Sequence, residues 1–138
     1  MTYNWQKAID FVMKWEGGYT DDTGGPTKYG ISQKSYPDLN IETLTPDEAK
    51  DIYKKDYWDK LGCDALGDKF DICTFNAAVN CGQERAEMWL SEARSWEDIL
   101  LLQIFYYTRL AKKEKYRPYL LGWLNRTVDL FMVLRREG

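Results

Sequence analysis

The chain has no histidine among its 138 residues. That absence excludes Ser-His-Asp triads, histidine proton shuttles and most zinc sites. Acid–base chemistry near neutral pH must then fall to Glu, Asp, Tyr, Lys or Cys. Cysteine is scarce too. Cys63, Cys73 and Cys81 are odd in number, and their spacing fits neither a zinc pattern nor a disulfide framework. They read as three small buried thiols of a reducing compartment. Positive charge is not in excess: 19 Lys and Arg against 22 Asp and Glu leave a net charge of −3. No broad basic field exists to hold nucleic acid, and nothing draws the chain to an anionic surface. No apolar run reaches transmembrane length, so no membrane insertion is expected. The opening MTYNWQKAIDFVMKWEGG lacks a basic start and a clean apolar core, so it reads as an amphipathic helix rather than a secretory signal. Sustained period-two alternation is missing as well, which predicts an all-α fold with little or no sheet.

What is present is a folded composition, 44% hydrophobic and 15% aromatic, of a length suited to one core. Trp5, Ala8, Ile9 and Val12 form a helical stripe over residues 4–16, which Gly17 and Gly18 end. Residues 17–30 read as a loop, and a short turn around 32–36 stops at Pro37. Thr45, Pro46 and Glu48 make a capping box for a helix over 46–61. Residues 68–81 are apolar on most sides, as a central buried helix is. Further helices are expected over 83–94, 96–113 and 118–136. No repeat or long linker divides the chain, so residues 1–138 are read as one domain.

The chemistry concentrates in KWEGGYTDDTGGPTKYGIS, residues 14–32. Glu16 ends a helix, where the partial negative charge of the C-terminus disfavours a carboxylate. Trp15 and Tyr19 offer apolar surface, and Asp21 and Asp22 add like charge if the loop folds back. A glutamate so surrounded can keep its proton and donate it, as a glycosidase needs when it protonates a leaving oxygen. The plainer reading is a solvated glutamate before a glycine stop. Asp22 offers a second carboxylate, Thr27 a hydroxyl able to hold a water, and Tyr29 a ring able to stack on a sugar. Tyr57 and Trp58 can line a sugar groove or pack in the core. Asn80 can cap its helix or bind substrate. The basic stretch 112–117 and Arg135–Arg136 read as solvated surface.

In this order EGGY, GGPTKYGIS, SYPDL, DYWDKLG, AAVNCG and GWLNR resemble the glycoside hydrolase 108 family, the lysozyme-like N-acetylmuramidases of phages and bacteria. The resemblance covers nearly the whole chain. It implies a lysozyme-like helical fold, no cofactor and no metal. It also implies hydrolysis of the β-1,4 bond between N-acetylmuramic acid and N-acetylglucosamine in peptidoglycan, with Glu16 as catalytic acid. The catalytic set is then Glu16, Asp22 and Thr27, and the candidate substrate contacts are Tyr19, Tyr29, Tyr57, Trp58, Asn76 and Asn80. Residues 1–94 would form the catalytic region and 95–138 a helical region packed on it. The family loop usually runs longer, so Asp21 can take the place of Asp22. The family often has Asp where Asn76 stands, and Asn76 can still bind an acetamido group. An inactive glycan-binding or lysis-associated module, and a lytic transglycosylase, are the alternative readings. Synthesis in the cytoplasm, with release to the wall or periplasm through a holin or an export system, is the expected route, with glycan strands as the partner.

Overall fold

The computed structural model describes residues 3–22 and 24–137, with the side chains of all of these except Tyr3 and Asp22. The stripe read from the first helix is its buried face. In α1, Tyr3–Glu16, the side chains of Trp5, Ala8, Ile9 and Val12 are buried together with Phe11. The chain leaves the helix after Glu16, so the carboxylate sits at the very end of the element.

The loop expected over 17–30 is instead mostly sheet. Strands β1 (Tyr19–Asp22), β2 (Gly25–Lys28) and β3 (Ile31–Ser32) form a small antiparallel sheet in that order. Tyr19 pairs with Lys28, Asp22 with Gly25, and Thr27 with Ser32. The turn from β2 to β3 is Tyr29-Gly30, with φ of +53° and +80°. Two positive φ values give a mirror-image turn whose twist matches that of the paired strands. The fold is therefore predominantly helical but not sheet-free.

Thr45 starts α2 (Pro46–Tyr53) with a complete capping box: its Oγ1 accepts from Glu48 N at 3.2 Å, and Glu48 Oε1 accepts from Thr45 N at 2.9 Å. Beyond Tyr53 the chain widens into a π-helical segment, Lys54–Asp59. Trp58 in this segment is fully buried, with its ring centroid 5.4 Å from Trp5 and 5.6 Å from Phe75. Its Nε1 donates to Asp64 Oδ1 at 2.9 Å. The expected sugar contact at Trp58 is thus corrected: the ring is core and has no face left for a ligand.

α3 (Phe70–Cys81) is buried on nearly every side and packs against α1, α4 (Gln83–Glu92) and α5 (Trp96–Leu110). A turn at Arg117–Tyr119 holds Pro118 and leads into α6 (Leu120–Arg136), which packs on α5. α6 also reaches α1. Asp129 Oδ2 accepts from Trp15 Nε1 at 2.8 Å and from Lys14 Nζ at 3.0 Å. The three cysteines are buried and unpaired with one another. Among the described residues, no helix is long and apolar enough to cross a membrane.

Candidate active site

Three helices and one turn converge on Glu16. Its side chain is 20% exposed, and Oε2 accepts from Arg126 Nη1 of α6 at 2.5 Å. Arg126 is buried, and its Nε donates to Asn76 Oδ1 of α3 at 3.2 Å. On the other side lies the β2–β3 turn. A Cβ placed on Gly30 would stand 2.6 Å from Glu16 Oε1 and closer still to the Tyr53 hydroxyl. Glycine is therefore required twice here, by its positive φ and by the absence of room. The Tyr53 hydroxyl donates to the Tyr29 carbonyl at 2.7 Å and holds the turn in place.

Burial, and next the charge of Glu16, push the Tyr53 phenol above its ordinary range, so it stays neutral and remains a donor. Tyr57 follows one turn later, 5.5 Å from Tyr53 between ring centroids. Burial raises its phenol too, with smaller contributions from Asp56 and Glu16. Four residues apart along the helix, the two rings fall on one side of it. Arg126 sets a full positive charge beside the Glu16 carboxyl, a partner that the local sequence around Glu16 does not show.

The other expected residues separate into groups. Thr27 lies at the middle of β2, part-buried, opposite Thr20 on one side and Ser32 on the other. Asp21 pairs with Pro26 and so has the opposite parity to Thr27. It shares the face of exposed Tyr19 and of Lys28. Asp22 pairs through its backbone with Gly25, and its side chain lies outside the described residues. Tyr29 has its carbonyl occupied by Tyr53, and the Lys28 ammonium stands 5.6 Å from its ring centroid. Tyr57 lines an open cleft of about 480 Å³ with Tyr36, Asp56, Val79 and Gln83. Within it the Tyr36 hydroxyl donates to Asp56 Oδ2 at 2.6 Å, and Gln83 Nε2 donates to the Asp56 carbonyl at 2.7 Å. Asn80 is part-exposed on the last turn of α3. Asn76 is corrected: it is buried under Arg126 and holds the guanidinium, so no acetamido group can reach it. Among the described residues no group of three or more acidic or cysteine side chains is placed to hold a metal ion.

A family model with the description Glycosyl hydrolase 108 matches residues 9–82, more than half of the chain. The chain belongs to the glycosyl hydrolase 108 family. No curated protein matches it. The family assignment makes it a glycoside hydrolase, and the matched range carries Glu16, the three strands, Tyr53 and Asn76. The range closes at Gly82, where α3 ends. Arg126 lies beyond it.

Arg126, Gly30 and Tyr53 are the members of the site that sequence reasoning missed. For Arg126 a signal did exist. It falls on the buried stripe of α6 with Leu130 and Leu134, where an arginine is out of place unless paired.

Proposed function

We propose that this glycoside hydrolase is an N-acetylmuramidase, a lysozyme that hydrolyses the β-1,4 bond between N-acetylmuramic acid and N-acetylglucosamine in peptidoglycan. The observation that supports it is Glu16, a part-exposed carboxyl that Arg126 fixes at a helix end and whose charge is felt by Tyr57, a wall of the cleft that Tyr57 shares with Tyr36. Tyrosine faces suit sugar rings, and a fixed carboxyl suits a leaving oxygen. Glu16 protonates the glycosidic oxygen as the bond to the anomeric carbon breaks. A water attacks that carbon from the opposite face and gives up its proton to Asp22, with Thr27 holding the water in line. The outcome is inversion. Tyr19, Tyr29, Tyr57 and Asn80 contribute substrate contacts. The chain is made in the cytoplasm and reaches the wall through a holin or an export route, and its partner is the glycan strand.

Purified peptidoglycan is the test substrate, with wild type beside Glu16→Gln, clearing followed by turbidity and the soluble products weighed by mass spectrometry. Gln keeps the shape of Glu and cannot donate the proton. Reducing muramic ends from wild type, and none from a folded Glu16→Gln protein, are expected. Anhydro ends would replace hydrolysis by transglycosylation. Wall binding without cutting by either protein would sink the enzyme reading and leave a glycan-binding module.

A further inference from the structure

Arg126 divides its guanidinium between two helices. Nη1 goes to Glu16 Oε2 on α1 and Nε to Asn76 Oδ1 on α3, while Nη2 is buried with no partner among the described residues. Asn76 repeats the pattern, since its Nδ2 is also buried and unpaired. A buried ion pair with orphaned donors is a poor source of stability compared with well-packed apolar side chains. The arrangement does something else: it fixes the orientation of one carboxyl group. Only Oε2 is engaged by the guanidinium. Oε1 is turned to the Gly30 turn, and no described side chain donates to it.

We propose that Arg126 is a positioning residue. It holds Oε2 so that Oε1 is the oxygen that carries the proton to the glycosidic oxygen, and Asn76 sets the guanidinium in the orientation that does this. The inference rests on reading Glu16 as the acid. It makes α6, which lies outside the matched residues 9–82, part of the site.

The test compares Arg126→Met, Arg126→Lys, Asn76→Ala and the double variant Arg126→Met/Asn76→Ala, with kcat and KM measured on soluble peptidoglycan fragments. Arg126→Met is expected to lower kcat on the order of 100-fold with KM changed less than about threefold, the signature of a misplaced reacting group. Arg126→Lys recovers part of the loss, because an ammonium can reach Glu16 but cannot keep Asn76 as well. Asn76→Ala lowers kcat about tenfold alone and adds nothing to Arg126→Met, since it acts only through the arginine. Wild-type kcat in Arg126→Met, or an equal effect of Asn76→Ala with and without the arginine, overturns the proposal. If Arg126→Met does not fold, Arg126→Lys with and without Asn76→Ala makes the same comparison. If wild type cuts no peptidoglycan, it is the muramidase reading that fails, and thermal unfolding still reads the pair. Glu16→Gln and Arg126→Lys then each lower the melting temperature, and together they lower it by less than the sum. Additive shifts would mean that no such pair forms.

Discussion

Gly30→Ala strikes the site without removing any polar group from it. The added Cβ meets Glu16 Oε1 at 2.6 Å and Glu16 Cδ at 2.9 Å, where ordinary contact begins near 3.4 Å. The Tyr53 hydroxyl is closer still, so something must give by at least about 0.8 Å, the difference between 3.4 and 2.6 Å. Two costs add. Holding alanine at φ +80° costs about 1 kcal/mol. Forcing a methyl into a filled space costs about 1–3 kcal/mol more. The sum is about 2–4 kcal/mol. With an unfolding entropy of about 2.1 cal/mol/K per residue, the chain loses about 0.3 kcal/mol for each kelvin, so the melting temperature falls by about 7–14 °C. Activity on peptidoglycan falls on the order of 100-fold, because the moved atoms belong to Glu16. Gly62→Ala separates strain from clash. Gly62 has φ +67° and open space where a Cβ would go. It should lose about 3 °C and keep its activity. If the two variants melt together and Gly30→Ala still cuts, the turn is not the floor beneath Glu16.

Asp129 and the cysteines offer two further tests. Partial burial pushes the Asp129 carboxyl up, but the hydrogen bonds from Lys14 and Trp15 outweigh it and hold the group below its ordinary value. A lowered folded value means stability that is present at neutral pH and lost as pH falls through that value. Asp129→Asn should therefore melt lower than wild type at neutral pH, by less than about 1 kcal/mol because the pair is solvent-screened. The gap should close on acidification in paired melting curves, and a gap that widens in acid would refute the linkage. The thiols of Cys63, Cys73 and Cys81 are all pushed up by burial, that of Cys63 to about 12. A thiol reagent should label none of them in the native protein and all three in denaturant, and fast labelling of any one before unfolding would contradict its burial.

Helices were legible because their signals are local. Glycines end α1, a capping box starts α2, and the run over α3 is apolar all round. The sheet was not. Strands of four, four and two residues are too short for alternation to register, and Gly25 and Pro26 disguise one of them. Trp58 was ambiguous because a large ring serves a core as well as a sugar face, and only its neighbours Trp5 and Phe75 decide. Glu16 could be placed at a helix end from the glycines alone. Its partner lies 110 residues away on α6, a separation over which no spacing rule speaks. Tyr53 could be placed on α2, but its reach to the Tyr29 carbonyl depends on how that helix meets the turn.

Asp129 and Arg126 stand one helical turn apart on α6 and take hold of Lys14, Trp15 and Glu16 in succession. The end of α1 is thus held by side chains of α6, with 110 residues between Glu16 and Arg126. A nascent chain that has made Glu16, the strands and α3 still lacks the guanidinium that sets the carboxyl. The delay is built into chain order: the Glu16–Arg126 pair cannot form until α6 has been made.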